Sequence, residues 1–342
     1  MRALLGRLWA RIASHFVRLS ARLFRREIAP GRFEPGAASS WRGFVTTAPM
    51  VKPERDYVVY VPRGWVRRRR SPLVVLCHGC RQTQEAFAGA TRIAALADRE
   101  GWLVLMPRQA APANAWGCWN WFETNTVHGS GEAAIVAAQI VAVRRAYRTE
   151  RKGVWVAGLS AGGALAAILG LRYPRLVRGV LVHSGLACGA AASPATALSV
   201  MAHGPDTDVA RIADEARTAR RARSQTVALL AIQGDRDDTV APVNAIGVVD
   251  QYLRFNAHPA GRSGNAEGEL PASDASSLDS ADGRYPTRTH DWSLDGRVVV
   301  RHVCVEGLGH AWSGGDPRFE YADARGPDAL ELLVRFASVA PP

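Results

Sequence analysis

Ser160 stands in a setting that can make a weak hydroxyl nucleophile reactive. It lies in the run Gly158-Leu159-Ser160-Ala161-Gly162, which follows an apolar stretch and precedes a series of small, helix-forming residues. Strand, tight turn and helix in this order form a nucleophile elbow, where small neighbours let the strand and helix approach closely. The hydroxyl is then exposed at the carboxyl edge of a sheet, and the backbone N–H of Ala161 is placed to hold an oxyanion.

A serine nucleophile needs a general base, and His310 is the best candidate. It follows Gly309 in a loop after the last apolar run of the chain. A histidine next to glycine can approach a serine without clashes, take its proton and return that proton to a leaving group. His183 and His302 lie at the end of, or within, apolar runs and suit core or capping roles, and the histidines at 78 and 128 are further rivals.

Three carboxylates compete to orient that base. Asp235, Asp237 and Asp238 follow the apolar run 227–232, where the chain order serine, acid, histidine of a nucleophile-elbow enzyme places the acid. Asp237 is favoured because it stands three residues before Val240, where the chain re-enters the core. Asp235 and Asp238 stay open as alternatives, with turn-forming or solvent-facing roles otherwise.

A second oxyanion donor is expected in the loop after an early strand. The apolar run 73–77 leads into His78, Gly79 and Cys80, and Gly79 permits a tight turn. We therefore predict that the backbone N–H of Cys80 is this donor, and such a group is typically worth roughly 3–4 kcal/mol of barrier. The five cysteines of the chain do not form the paired spacing of a zinc site, so no metal is expected.

The elements that position these residues alternate along the chain. Apolar runs predict strands at 57–61, 73–77, 103–106, 154–157, 179–182, 227–232 and 298–305, with helical patterns near 84–100, 131–148, 161–172, 242–255 and 326–338. Repeated strand–helix units with continuously apolar strands favour the α/β class, with a mostly parallel central sheet and helices on both faces. Residues 257–290 are rich in small polar residues and are expected to form a flexible surface insertion, with a lid over the site as the alternative.

The first 27 residues predict a basic amphipathic helix. Apolar residues share one face and arginines the other, which is typical of a helix lying on a membrane or a polyester granule. The alternatives are a helix docked on its own catalytic domain and a frayed tail. Arginines interrupt every apolar stretch, so we expect neither a standard signal peptide nor a spanning helix. A linker through about residue 40 would complete this unit, leaving 41–342 as the catalytic domain.

The chain is strongly basic, with 342 residues and a net charge of +12. Arginines are spread along most of its length, and no basic run interleaves with aromatic residues as a nucleic-acid groove requires. We therefore expect no nucleic-acid partner.

Several motifs taken together make the sequence similar to the polyhydroxybutyrate (PHB) depolymerase-type esterases of the α/β-hydrolase superfamily. They occur in one order, at 76–83, 117–122, 157–164, 182–186, 234–240 and 309–315. The resemblance implies an α/β-hydrolase fold and a cofactor-free serine hydrolase. Its substrates would be short-chain hydroxyalkanoate polyesters, their oligomers or related small esters. Ser160, Asp237 and His310 match the positions of the family's catalytic triad.

The same resemblance suggests roles for residues around the triad. It implies that Cys80 and Cys118 face each other near the site and form a disulfide. It also implies that Trp119, Trp121 and Trp312 form walls of an acyl-binding cleft, with core packing as the alternative for the first two.

Some features depart from the family pattern. Gln233 stands where the family commonly has histidine before the acid-bearing turn, and no polymer-binding module follows the catalytic region in this sequence. Soluble oligomers or small esters are therefore expected to fit better than solid polymer. The resemblance implies an extracellular setting, whereas the first 27 residues leave a cytoplasmic or granule-associated location open.

Two further functions remain as alternatives. A carbohydrate-linked esterase, of the acetylxylan or feruloyl type, would use the same triad with a different acyl pocket. A non-catalytic surface-binding module would act through the N-terminal helix instead.

Overall fold

The computed structural model of the protein describes residues 29–40, 54–151, 153–219, 226–262, 269–280 and 282–341. The amphipathic helix predicted over residues 1–27 lies outside the described residues.

One sheet dominates the described part of the chain. Its strands are β1 (Arg32–Ser39), β2 (Glu54–Val61), β3 (Leu73–Cys77), β4 (Leu103–Pro107), β5 (Val154–Leu159), β6 (Gly179–His183), β7 (Ala228–Gly234), β8 (Ala275–Asp279), β9 (Thr287–Leu294) and β10 (Arg297–Val305). Their spatial order is β1-β2-β4-β3-β5-β6-β7-β10-β9-β8. The six neighbours from β4 to β10 run parallel, while β1, β2, β9 and β8 pair antiparallel at the two sides. Two short strands, β11 (Trp312–Ser313) and β12 (Ala322–Asp323), pair separately.

Helices cover both faces of this sheet. They are α1 (Gln84–Thr91), α2 (Ile93–Glu100), α3 (Thr124–Val127), α4 (Gly131–Tyr147), α5 (Ala161–Arg172), α6 (Pro194–His203), α7 (Val209–Ala219), α8 (Val243–Phe255) and α9 (Ala329–Val339). Side chains of α4, α5, α7 and α8 form one hydrophobic core, and those of α1, α2 and α9 form the other. The central strands are buried on both sides, which is why they read as continuous apolar runs. The α/β-hydrolase fold class is confirmed.

The strand order places a crevice above β3 and β5. From β3 the chain crosses to β4 on one side, whereas from β5 it continues to β6 on the other. Loops that leave neighbouring parallel strands in opposite directions open a crevice at their carboxyl ends. The loop after β3 and the turn after β5 therefore meet at the usual position for a binding site in an open α/β sheet.

Three parts of the chain differ from the sequence predictions. The expected linker before residue 40 contains β1, which pairs with β2 over eight residues. Its Pro35 is tolerated because an edge strand leaves one side unpaired. The helix expected over 84–100 is broken at Arg92, whose φ of 55° is left-handed. The segment 257–290 is not without structure, since it includes β8 and the start of β9.

Helices α6 and α7 were not predicted at all. In addition, no helix in the described part of the chain is long and apolar enough to cross a membrane.

Candidate active site

The turn after β5 holds Ser160 in a strained backbone conformation. Strand β5 ends at Leu159 and helix α5 begins at Ala161, so Ser160 alone makes the turn, with φ 57° and ψ −122°. Its backbone N–H donates to the carbonyl oxygen of His183 at 2.9 Å, which fastens the turn to the end of β6. Such strain persists only where the surrounding structure enforces it, and it is commonly found at functional sites.

Two glycines make this turn sterically possible. A Cβ at Gly162 would lie 2.2 Å from the carbonyl oxygen of Cys77 in β3. At Gly158 it would lie 2.3 Å from backbone atoms of Gly162. These are collisions between main chains that cannot move aside, so the sequence signal at 158–162 has a direct steric cause.

The loop after β3 lies against the serine turn. A Cβ built on Gly79 would come within 3.7 Å of Cβ of Ser160. The backbone N–H of Gly79 donates to Oε1 of Gln82 at 2.9 Å, and this bond holds the loop closed. In the described part of the chain, the backbone N–H groups of Cys80 and Ala161 have no hydrogen-bond acceptor. Both are therefore available to a developing oxyanion.

A disulfide connects this loop to a second one. Cys80 and Cys118 are bonded, with their Cα atoms 4.2 Å apart, and Cys77 is a buried free thiol. The N–H of Arg81 also donates to the carbonyl oxygen of Trp116 at 2.8 Å. The position of Cys80 is thus fixed from both the 79–82 turn and the 114–118 turn.

His310 and Asp237 meet at the same edge of the sheet. Nδ1 of His310 lies 2.9 Å from Oδ2 and 3.0 Å from Oδ1 of Asp237. Their two loops are also joined by main-chain bonding, since the N–H of Arg236 donates to the carbonyl oxygen of Leu308 at 3.1 Å. A carboxylate can only accept, so Nδ1 carries the proton and Nε2 keeps a lone pair free to act as a base.

The carboxylate of Asp237 is held in its charged form. Burial alone would raise its pKa, but hydrogen bonds from His310 and from the N–H of Val240 outweigh burial and lower it. The N–H of Val240 donates to Oδ1 at 2.8 Å, and Nε2 of Gln233 donates to Oδ2 at 3.1 Å. A low pKa keeps the negative charge available to an imidazolium across the neutral and mildly acidic range.

The other two carboxylates of this turn do different work. Asp235 is exposed and accepts from the N–H of Gly307 at 2.6 Å, which ties the acid loop to the histidine loop. Asp238 is also exposed, and the hydroxyl of Thr239 lies 3.5 Å from its carboxylate. Of the three candidates, Asp237 is the one in contact with His310.

The three tryptophans predicted as cleft walls lie inside the protein. Trp119 is 1% exposed, Trp121 is 4% exposed and Trp312 is fully buried. The indole N–H of Trp119 donates to the carbonyl oxygen of His78 at 3.1 Å, which supports the loop beneath Cys80. Trp312 packs against Phe87, with ring centroids 5.3 Å apart. The structure therefore does not place these rings on an open cleft, because all three are packed inside the two hydrophobic cores.

Trp116, which the sequence analysis did not single out, is an exposed aromatic residue next to the loop that carries Cys80. Trp116 is 61% exposed, and the guanidinium of Arg81 lies 4.5 Å from its ring centroid. It stands two residues before the disulfide-bonded Cys118. Trp116 directly precedes the 117–122 motif, and nothing in the sequence distinguishes this exposed tryptophan from the buried Trp119 and Trp121.

A cavity of about 350 Å³ lies beside the same turn. It is lined by six polar side chains, one aromatic ring, an alanine and a proline: Asn114, Asn120, Phe122, Glu123, Thr124, Asn125, Ala192, Ser193 and Pro194. Residues of the Ser160, Asp237 and His310 group do not line it.

Two of the rival histidines, His302 and His78, are accounted for by their surroundings. His302 is buried in β10, where burial lowers its pKa to about 4. His78 is buried as well, and its Nδ1 lies 2.9 Å from the carbonyl oxygen of Gly79. Within the described residues, no group of three or more His, Cys, Asp or Glu side chains could hold a metal ion.

Comparison with known proteins supplies the family. The family model described as esterase PHB depolymerase matches residues 55–271, which is more than half of the chain. Ser160 and Asp237 lie inside this matched segment, and His310 lies beyond it.

Relatives with named activities include a polyester depolymerase and a feruloyl esterase. Poly(3-hydroxyalkanoate) depolymerase C of Paucimonas lemoignei is 27% identical over 253 residues, which cover 73% of this chain but only 57% of the depolymerase. Feruloyl esterase B of Neurospora crassa is 26% identical over 223 residues, 60% of this chain and 74% of that enzyme. The solved acetyl xylan esterase from Aspergillus awamori has a TM-score of 0.63 at 18% identity, covering 81% of this chain and 94% of that one, and this likeness shows the shared fold.

Proposed function

The chain belongs to the PHB depolymerase esterase family, and from this membership we propose that it is a serine esterase that hydrolyses short-chain hydroxyalkanoate oligomers and related small esters. The observation that carries the proposal is the Asp237–His310 contact at 2.9 Å on the sheet edge that also bears the Ser160 turn. Ser160 is the nucleophile, His310 the general base and Asp237 the orienting acid.

The reaction follows from the hydrogen-bond directions. The lone pair on Nε2 of His310 takes the proton of Ser160 as its oxygen attacks the ester carbonyl carbon. The backbone N–H groups of Cys80 and Ala161 stabilise the negative oxygen of the tetrahedral intermediate. The protonated imidazole then gives its proton to the departing alcohol, leaving an acyl-enzyme. Water hydrolyses this intermediate by the same steps, again with His310 as base.

Trp116 supports a substrate with repeating apolar units. A rigid, exposed aromatic ring next to the oxyanion loop offers area to a chain that extends beyond the scissile ester. Small esters would not reach it. We therefore expect Trp116→Ala to raise KM for hydroxybutyrate oligomers several-fold while leaving turnover of a short p-nitrophenyl ester unchanged.

A carbohydrate-linked esterase remains the second candidate, and one observation favours it. The cavity beside Trp116 is lined by several amide and hydroxyl side chains around Phe122, a mixture that suits a sugar better than an aliphatic polyester. Feruloyl and acetylxylan esterases among the relatives have the corresponding activities by name.

A substrate panel decides between the two. Hydroxybutyrate trimers, acetylated xylo-oligosaccharides and feruloylated sugars are compared by kcat/KM, with Ser160→Ala as the control for each. Preference for the trimer, lost in Trp116→Ala, supports the polyester proposal. Preference for either sugar ester would replace it with the second candidate, and hydrolysis that survives Ser160→Ala would contradict the esterase mechanism itself.

A further inference from the structure

Arg81 is an exposed cation that directly follows Cys80 in the oxyanion loop. Its φ of 62° lies in the left-handed region, which an arginine adopts only at a cost, so contacts with its surroundings must hold it there. Its backbone N–H donates to the carbonyl oxygen of Trp116 at 2.8 Å, and the disulfide to Cys118 fixes the residue before it. The Arg81 side chain therefore starts from a fixed point beside the oxyanion donor.

The far end of this side chain is held as well. The guanidinium carbon of Arg81 lies 4.5 Å from the ring centroid of Trp116, which is a cation–π contact. Trp116 is itself fixed, because its backbone N–H donates to Oδ1 of Asn114 at 2.9 Å. The guanidinium is thus placed in advance at the rim of the site, so less side-chain entropy is lost when it binds a ligand.

The charge of Arg81 has no counterpart in the described part of the chain. No carboxylate there lies within ion-pair distance of its guanidinium, and no oxygen accepts from its N–H groups. Other exposed arginines are paired: Arg92 lies 3.0 Å from the carboxylate of Asp328, and Arg318 lies 2.6 Å from that of Asp316. A guanidinium presents its donors in a planar fork that matches a carboxylate. Arg81 is therefore suited to a carboxylate that the substrate supplies.

We propose that Arg81 is a specificity-determining residue that binds the free carboxylate at the end of a hydroxyalkanoate oligomer, while Trp116 contacts the apolar unit next to it. The inference rests on the proposed serine-esterase function. An oligomer of this kind has one hydroxyl end and one carboxyl end, and the carboxyl end is ionised near neutral pH. Whichever ester bond is cleaved, the free carboxylate belongs to the departing alcohol. Arg81 thus marks the leaving-group side of the site.

This assignment narrows the substrate class. Acetylated sugars and p-nitrophenyl esters have no carboxylate on the departing group, so they gain nothing from Arg81. Oligomer acids gain both an ion pair and an aromatic contact from two residues that touch each other. The site should therefore favour soluble oligomers with a free carboxyl end over neutral esters of the same length.

The experiment compares two hydroxybutyrate trimers that differ in one group. One has a free terminal carboxylate and the other a terminal amide, so they share their apolar units and internal esters but differ in charge. We expect the parent to hydrolyse the acid with a kcat/KM about fivefold higher than that of the amide, as suits an ion pair near the surface. Arg81→Gln should bring this ratio close to one. Any disturbance of the oxyanion loop by the substitution slows both trimers alike and cancels in the ratio.

A matched control removes the general effect of charge. The chain has a net charge of +12, which attracts any anion. Arg69→Gln removes the same charge from an exposed position before β3, at the opposite edge of the sheet, and it should keep the parental ratio. Arg81→Lys keeps the charge without the planar fork, so its ratio should lie between those of the parent and Arg81→Gln.

The outcomes are distinct. A parental ratio in Arg81→Gln, or a parent that hydrolyses both trimers equally well, would overturn the carboxylate site. Equal loss of the ratio in Arg69→Gln and Arg81→Gln would assign the preference to overall charge and also overturn it. If the parent hydrolyses neither trimer above the Ser160→Ala background, the proposed function itself fails, and the carboxylate site fails with it.

Discussion

Asp237 serves the proposed reaction through the tautomer that it imposes on His310. As a carboxylate it accepts from Nδ1, which leaves Nε2 as the base. An amide at this position can offer a donor instead, and then the ring turns its proton to the wrong nitrogen. At position 237, whether the side chain accepts or donates a hydrogen bond therefore matters more than its shape.

Asp237→Asn tests this polarity directly. We expect kcat for a small ester to fall by about 10³–10⁴-fold, the size seen when a triad acid is replaced by its amide, with the fold retained. The folded protein lowers the pKa of Asp237, so this carboxylate contributes stability that is present above its unfolded value and lost as pH falls through the lower folded value. Melting curves of the parent and variant should therefore differ more near neutral pH than in strong acid.

Asp238→Asn is the matched control for that experiment. It makes the same chemical change one residue further along the same turn, on an exposed side chain. Activity close to that of the parent is expected. If Asp238→Asn abolished activity and Asp237→Asn did not, the acid would be misassigned.

Local spacing was sufficient to propose Ser160, Asp237 and His310 as site residues, because each stands at a strand end where glycines or short turns mark an unusual backbone. It could not show that the Gln233 side chain donates to Asp237, because that hydrogen bond depends on how the turn folds back on the end of β7. It also could not sort the tryptophans. An indole ring is attractive both in a core and in a cleft, and only the packing of α1, β11 and the 114–122 loop decides which one is exposed.

At the scale of single elements, helix α4 fixes the loop that carries Cys118. Glu132, in its first turn, is buried and accepts from Nε2 of Gln109 at 2.5 Å and from the backbone N–H of Asn120 at 2.7 Å. Nε2 of Gln109 also donates to the carbonyl oxygen of Cys118 at 2.8 Å. One carboxylate thus holds both sides of the disulfide-bonded loop.

Glu132→Gln should loosen this loop. Its new amide group faces donors, so at least one buried polar group loses its partner, which costs about 1–3 kcal/mol. Burial, opposed by hydrogen bonds from Gln109 and Asn120, raises the pKa of Glu132 to about 7. The folded parent therefore holds a proton that the unfolded chain releases above its ordinary value of 4.5, and this residue's contribution to stability declines as pH rises between these values.

The measurement is the free energy of unfolding against pH. The deficit of Glu132→Gln relative to the parent should be larger near pH 5 than near pH 8. Glu85→Gln, which alters an exposed first-turn carboxylate of α1, should show no such pH dependence. A deficit that grows with pH would mean that Glu132 is ionised in the folded protein throughout.

Elements whose sequence carried strong periodicity or continuous apolar runs were predicted well, and these are the central strands with α4, α5, α8 and α9. The errors occur where tertiary contacts decide. Strand β1 has no apolar run and exists because β2 offers an unpaired edge. Helices α6 and α7 lie in a region that the sequence analysis left unassigned, although α6 begins with a capping box at Ser193 and a proline at its first position.

At the scale of the whole molecule, positive charge collects at the edge of the sheet opposite the active site. The exposed run 67–70 is four arginines, and Arg144, Arg145, Arg148 and Arg151 lie at the end of α4 and just beyond it. The two groups meet, since the Arg70 guanidinium donates to the carbonyl oxygen of Thr149 at 3.1 Å. Burial, with the nearby positive charges of Arg151 and Arg70, lowers the pKa of Arg144. Such a mostly basic face, which also includes Glu150, attracts anionic surfaces.

Residues 1–27 are a second part of the chain for which the sequence predicts surface binding. In sedimentation with vesicles that contain anionic lipid, we expect the full chain to bind and the chain lacking residues 1–27 to bind more weakly, with turnover of a small ester unchanged. The apolar residues within 1–27 would supply binding that resists salt. The arginines within 1–27 and those at 67–70 would supply binding that salt screens within about 10 Å at 0.1 M.

Salt therefore separates the two contributions. Replacing the four arginines at 67–70 by glutamine should remove only salt-sensitive vesicle binding. Deletion of residues 1–27, which carry both apolar residues and arginines, should remove the salt-resistant part together with a share of the salt-sensitive part. Neutral vesicles are the control for charge. Equal binding of the full and shortened chains at every salt concentration would contradict the role given to residues 1–27. Because the active site opens at the other edge of the sheet, binding through the arginine face would leave the Ser160 side of the molecule free to receive substrate.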